Sequence, residues 1–105
     1  MKMESIYRQE QVSKIKEFKE FLSKEELMMG GFHVEFEFPN GYGASIIQHS
    51  GSYGLELAVL KDGHLYYDSP ITDDVIGYLT IKELKETLRG IQSLPKDESH
   101  NLQLL

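Results

Sequence analysis

The stretch that decides the fold runs from Phe36 to Thr80: FEFPNGYGASIIQHSGSYGLELAVLKDGHLYYDSPITDDVIGYLT. Two dipeptides in it, Asn40-Gly41 and Asp62-Gly63, lie between apolar runs. Both suit the type I′ turn, whose two central residues have positive φ, so each predicts a two-residue β-hairpin with a positive-φ glycine. The stretch and the residues just before it therefore predict four strands in two linked hairpins.

The first turn sets the register of the first hairpin. A two-residue loop at Asn40-Gly41 places Phe36 opposite Ser45 and Val34 opposite Ile47. Alternation then divides this strand into an apolar face and a wet face. The apolar face holds Phe32, Val34, Phe36 and Phe38, and the wet face holds His33, Glu35 and Glu37.

The second hairpin is partly apolar on both faces. Its two-residue loop places Leu60 opposite Leu65, Val59 opposite Tyr66 and Ala58 opposite Tyr67. A hairpin with one face in water would carry apolar residues on its other face only. The pattern therefore predicts that this hairpin is central in the sheet or that its Tyr66 face forms an interface.

Helical spacing of apolar residues appears on both sides of the hairpins. Residues 7–22 carry one apolar stripe between lysines and glutamates, which predicts a surface helix. Ser23-Lys24-Glu25-Glu26 and Thr80-Ile81-Lys82-Glu83 both match the capping box, in which a serine or threonine and a glutamate three residues later satisfy the first turn of a helix. The first box predicts a short helical turn that ends at Gly30-Gly31. The second predicts a helix over residues 80–94.

These elements predict an α+β domain of two layers. A four-stranded, mostly antiparallel sheet carries the N-terminal and C-terminal helices on one face. Residues 1–94 form one domain, composed of a helical extension (1–31), a sheet module (32–80) and a C-terminal helix (80–94). Residues 95–105 have no periodic pattern and are expected to form a loose tail.

Composition limits the classes of function. The 105 residues include no cysteine, which excludes disulfides, thiolate zinc sites and cysteine nucleophiles and is compatible with a reducing cytoplasm. The net charge is −6, and the excess lies in residues 32–80, where Lys61 is the only lysine or arginine against seven acidic residues. Nucleic-acid binding is therefore not expected, and a basic protein partner is favoured. No apolar run is long enough to span a membrane, so we expect a protein of the cytoplasm.

A resemblance rests on PNGYGASII, GLELAVL, the turn KDG and, most strongly, DSPITDDVIGYLT followed by a helix. With these motifs the chain resembles a group of small uncharacterised proteins encoded by phages and prophages of Gram-positive bacteria. The resemblance covers residues 36–94. It implies a genomic setting, the cytoplasm of a bacterial host, and no catalytic residue.

Acidic and tyrosine side chains of the sheet module are the candidate binding residues, because tyrosine is enriched at interfaces and carboxylates attract a basic surface. They are Glu35, Glu37, Tyr53, Glu56, Tyr66, Asp68, Asp73 and Asp74. The last three aspartates also suit a hard cation, but capping and a solvated loop explain them more simply, and we predict neither a metal nor another cofactor. The histidines and serines match no catalytic motif.

The leading hypothesis is a non-enzymatic binding protein that modulates a host or phage protein, for example by occupying the basic groove of a bacterial defence nuclease. A rival hypothesis is a small enzyme or ligand-binding domain that uses the loops 50–54 and 69–74. A third is a structural protein that self-assembles, as a homodimer, through its N-terminal helix.

Overall fold

Within residues 15–28 and 30–96, the residues that the structure describes, five antiparallel strands form a meander in chain order. The structure is a computed structural model. The strands are β1 (Leu22–Met28), β2 (Gly31–Glu37), β3 (Tyr42–Gln48), β4 (Glu56–Lys61) and β5 (His64–Leu65). A 3₁₀ helix (Lys16–Phe21) precedes them and helix α1 (Ile81–Gln92) follows. The predicted α+β class with an antiparallel sheet is confirmed, but with a fifth strand at the N-terminal edge.

One face of the sheet, called the closed face below, is covered by both helices. Leu84, Leu88 and Ile91 of α1 and Ile15 and Phe18 around the 3₁₀ helix share one buried core with this face. Burial of such side chains is the main favourable term in folding. The closed-face residues of the strands are Phe32, Val34, Phe36, Ala44, Ile46, Leu57 and Val59.

Helix α1 starts where the second capping box predicts. The Thr80 side chain accepts a hydrogen bond from the Glu83 N–H at 3.1 Å, and the Glu83 carboxylate accepts one from the Thr80 N–H at 2.9 Å. Hydrogen bonding to the Glu83 carboxylate, first from the Thr80 backbone and then from the Thr80 side chain, holds the pKa of Glu83 below its usual value. One side of the helix, with Leu84, Leu88 and Ile91, is buried.

The 3₁₀ helix and α1 are joined by an ion-pair cluster. The Glu17 carboxylate lies 3.2 Å from Lys85 Nζ and also contacts the Arg89 guanidinium. Partial burial works to raise the pKa of Glu17, but the hydrogen bonds from Lys85 and Arg89 outweigh it, so the pKa is lowered.

The first turn differs from the predicted type I′ turn. The Phe38 N–H donates to Tyr42 O at 2.8 Å and the Gly41 N–H donates to Phe38 O at 3.1 Å, which closes a three-residue loop with φ of 91° at Gly41. In a two-residue loop Pro39 would occupy the last position of the ladder. That position has to donate a backbone N–H, and proline has none. At the second position of an ordinary turn, by contrast, the fixed φ of proline is favoured.

The extra loop residue shifts the register of the first hairpin by one. Phe36 lies opposite Ala44 and Val34 opposite Ile46, so the predicted pairs with Ser45 and Ile47 are wrong. Because successive side chains point to opposite faces, the shift moves Ser45 and Ile47 away from the core.

The second turn is the predicted type I′ turn. Asp62 and Gly63 have φ of 52° and 82°, and Leu60 pairs with Leu65. The ladder ends at Leu65, and farther along the same edge of β4 its place is taken by Ile76, which exchanges two backbone hydrogen bonds of 2.9 Å with Leu57.

The predicted helical turn at the first capping box is wrong, because this segment is β1. The Ser23 hydroxyl donates to Glu35 O at 3.2 Å, across the ladder between β1 and β2. The Ser-x-x-Glu spacing lacks the long apolar helical run that would follow a true cap, and pairing with β2 satisfies its backbone instead. Gly30, with φ of 83°, lies in the connection to β2.

The helix predicted over residues 7–22 falls partly outside the described residues. In its described part the 3₁₀ helix replaces an α-helix, and Leu22 already belongs to β1. Ile15 and Phe18 of its apolar stripe pack in the chain's own core, so these two are not available for a partner helix. The tail beyond Lys96 lies outside the described residues.

Candidate binding face

The second face of the sheet, called the open face below, is not covered by either described helix. Its strand residues follow from alternation and register. On β1 and β2 they are mainly charged or polar, with Met28 at the end of β1 as an apolar exception, and from β3 to β5 they are mainly small or apolar. In strand order they are Lys24, Glu26 and Met28, then Gly31, His33, Glu35 and Glu37, then Gly43, Ser45 and Ile47, then Glu56, Ala58 and Leu60, and finally Leu65.

A shallow pocket of about 160 Å³ lies in the apolar half of the open face. Ser45 and Ala58 are cross-strand partners at its base, and Glu56 lies at its rim. Two residues of the loop after β5, Tyr67 and Val75, contribute to its wall. The lining is completed by Ile47, Leu57 and Leu65.

The volume of the pocket limits what fits in it. Sites for drug-sized ligands and cofactors occupy roughly 300–1,000 Å³. A cavity of about 150 Å³ with apolar walls holds a benzene ring. The pocket at Ala58 is therefore the size of one apolar side chain, which favours a contact with a protein over a cofactor site.

An imidazole lies between carboxylates in the charged half. His33 Nδ1 is 2.9 Å from Glu26 Oε1, and His33 Nε2 is 3.1 Å from Glu35 Oε2 and 3.0 Å from Ser45 Oγ. The hydrogen bond with His33 is the main reason that the pKa of Glu26 is lowered. The cluster joins β1, β2 and β3 across the open face.

The Ser45-His33-Glu26 contacts have the connectivity of a catalytic triad, but the surroundings do not suit nucleophilic catalysis. A serine nucleophile needs a lone pair on Nε2 to accept its proton. Glu35 Oε2 lies 3.1 Å from the same nitrogen, so a carboxylate competes with Ser45 for Nε2. Ser45 also lies on a strand paired on both sides, where backbone N–H groups serve the ladder and are not free to form an oxyanion hole.

Three of the predicted binding residues, Glu35, Glu37 and Glu56, lie on the open face. Tyr66 does not, because it follows the closed-face register opposite Val59. Its ring is 6.0 Å from that of Tyr42, and Lys61 Nζ lies 4.9 Å from its centroid. The predicted interface on the Tyr66 side is therefore separated from these carboxylates by the sheet.

The predicted aspartates lie in the exposed loop after β5. The Asp74 N–H donates to Thr72 Oγ1 at 3.2 Å, and Asp74 Oδ1 accepts from the Val75 N–H at 2.7 Å. This turn presents Val75 to the pocket. Asp68 and Asp73 are exposed and are not among the pocket-lining residues.

Tyr53 pairs with a second tyrosine at the end of the sheet where β4 begins. Its ring centroid is 6.0 Å from that of Tyr78, and both side chains are exposed. The Tyr53 N–H donates to Glu56 Oε2 at 2.7 Å, which ties this pair to the open-face carboxylate. Tyr78 has φ of 54°, a conformation that is uncommon for residues other than glycine.

Sequence reasoning missed the pocket residues Ser45, Ala58 and Leu65 as a group. The one available signal was Pro39, since the loop that it requires places Ser45 beside Glu35 on the wet face. Among residues 15–28 and 30–96, no three histidine or acidic side chains converge in a way that could hold a metal ion.

Comparisons with protein-family models, curated proteins and solved structures find no significant match to this chain. In the part of the chain that the structure describes, no helix is both long and apolar enough to cross a membrane.

Proposed function

We propose that this chain is a non-enzymatic binding protein that receives a basic surface of another protein on its open face. The proposal is carried by one observation: an uncovered sheet face combines an apolar pocket with the carboxylates Glu35, Glu37 and Glu56. Exposed apolar surface with a polar rim is typical of protein interaction sites. Unbalanced negative charge attracts a basic protein and repels nucleic acid.

The resemblance to phage and prophage proteins supports a concrete form of this function. A protein of this kind would modulate a host or phage protein in the bacterial cytoplasm. An inhibitor of a defence nuclease fits, because a nuclease groove is basic in order to bind phosphates, and a folded acidic face is complementary to it.

Capture from a bacterial lysate with paired baits tests the proposal. The first bait is the unchanged chain, and the second carries Glu35→Gln and Glu37→Gln on the open face. A matched control carries Glu20→Gln and Glu86→Gln, which remove the same charge from the helical layer, where both residues are exposed. A further bait with Asp73→Asn and Asp74→Asn tests the loop.

We expect a basic protein that the unchanged chain and the helical-layer control retain and that the open-face variant retains more weakly. Its release should need less salt from the open-face variant, since exposed charges are screened beyond about 8 Å at physiological ionic strength. Equal retention and equal salt dependence on all baits would contradict the proposal.

A further inference from the structure

We infer that the pocket at Ala58 binds one apolar side chain of a basic protein segment, whose lysine or arginine residues contact Glu35 and Glu56 on either side. This inference rests on the proposed function and makes it more specific. It identifies the partner by two features, an apolar anchor and flanking positive charge.

The size and lining of the pocket indicate the anchor. Its volume of about 160 Å³ suits one branched aliphatic or phenyl side chain. Its walls are mainly apolar, and the side chain of Leu65 is 59 % exposed, so an incoming apolar group would remove further apolar surface from water. Burial of one such side chain strengthens binding about tenfold or more, enough to act as the anchor of an interface.

The neighbours of the pocket indicate the flanking charge. Glu35 is the cross-strand partner of Ser45 at the base of the pocket, and Glu56 lies on the pocket rim, two positions along β4 from Ala58. Neighbouring strands are about 4.8 Å apart, and next residues on one face of a strand are about 7 Å apart. Both carboxylates are therefore within reach of a lysine or arginine that lies within two residues of the anchor.

Two synthetic peptides test the inference. One is acetyl-Gly-Lys-Arg-Leu-Arg-Lys-Gly-amide, and the other has serine in place of leucine. Their affinities for the chain are measured by NMR titration. We expect the leucine peptide to bind about tenfold more tightly or better, the ratio that burial of one apolar side chain provides.

Variants of the chain then locate the anchor. Ala58→Leu fills the pocket from its base, and Leu65→Ala removes part of its wall at an exposed position. Either variant should reduce the ratio between the two peptides toward one. The matched control Gln92→Leu adds an apolar side chain at an exposed position of α1 and should leave the ratio within about twofold of its original value.

An unchanged ratio in both pocket variants would overturn the inference, and so would equal affinity of the two peptides for the unchanged chain or a failure of both to bind. These outcomes are distinguishable from a failure of the proposed function. Lysate capture that depends on Glu35 and Glu37, together with equal binding of the two peptides, would leave acidic recognition standing without an apolar anchor.

Discussion

The two faces of the sheet carry similar apolar residues, but only those of the closed face pack against the helices. On the closed face, Val34, Ile46 and Leu57 are fully buried beneath α1 and the 3₁₀ helix. On the open face, apolar residues such as Leu65 surround a pocket and lie beside carboxylates. This difference indicates that the closed face provides most of the stability, and the open face is the surface to which we assign the proposed recognition.

Deletion of residues 1–31 should have the largest effect on this arrangement. The deletion removes β1, which pairs along most of β2, and also Ile15 and Phe18, which help to close the core. We expect the truncated chain to lose cooperative unfolding in urea, followed by circular dichroism. A cooperative transition near that of the full chain would mean that the N-terminal segment is accessory.

Substitutions of one leucine on each side of the sheet compare the faces directly. Leu88→Ala opens a cavity in the closed core and should lower the free energy of unfolding by about 2–5 kcal/mol. Leu65→Ala, at an exposed position of the open face, should change it by about 0.5 kcal/mol or less. Urea denaturation of both variants is the measurement, and similar losses would contradict the division of roles.

The turn residue Asn40 links the sheet to the C-terminal end of α1. Its Nδ2 donates to the carbonyl oxygens of Ile91, Gln92 and Leu94 at 2.9, 3.2 and 3.0 Å, and so caps the end of α1. Asn40→Asp replaces this donor with a negative charge beside carbonyl oxygens. It should lower the free energy of unfolding by about 1–3 kcal/mol.

The matched change in the other turn is Asp62→Asn, which keeps a residue that tolerates positive φ. Because this turn is exposed, the substitution should change the free energy of unfolding by about 0.5 kcal/mol or less. Equal effects in the two turns, measured by urea denaturation, would show that the contact of Asn40 with α1 contributes little.

Acid should lower the free energy of unfolding by a smaller amount, by weakening the cap of α1. The lowered pKa of Glu83 means that its charged form stabilises the folded state above the ordinary glutamate value of 4.5, and that this stabilisation is lost as the pH falls through the lowered pKa. Glu83→Gln keeps the acceptor of the capping box without the titration. Its free energy of unfolding should fall less than that of the unchanged chain between about pH 5 and about pH 3. Identical pH profiles would contradict this role of Glu83.

Local signals predicted the parts of the fold that depend on neighbouring residues. The Thr80-Glu83 capping box and the Asp62-Gly63 turn are each satisfied within a few residues, and both appear as predicted. The Ser23-Glu26 box failed because a distant partner, β2, pairs with the same residues as a strand. Tertiary pairing overrides a short local motif when no long apolar helical run supports it.

The candidate site was predicted in its charge but not in its shape. Alternation alone placed Glu35 and Glu37 on a wet face. The pocket depends on the register of β3 on β2, and that register depends on Pro39, which cannot donate in the ladder position that a two-residue loop assigns to it. One misplaced loop residue put Ser45 on the wrong face and concealed its contacts with His33 and Ala58.

Site-directed photo-crosslinking tests most directly whether the open face is the recognition surface. A photoreactive p-benzoylphenylalanine is placed at Leu65 on the open face in one variant and at Glu86 on the exposed side of α1 in another. Each variant is irradiated in a bacterial lysate that contains the protein retained by the capture baits. We predict that this basic protein is crosslinked from Leu65→p-benzoylphenylalanine and not from Glu86→p-benzoylphenylalanine. Crosslinking from α1 alone, or equally from both positions, would contradict the assignment of recognition to the open face.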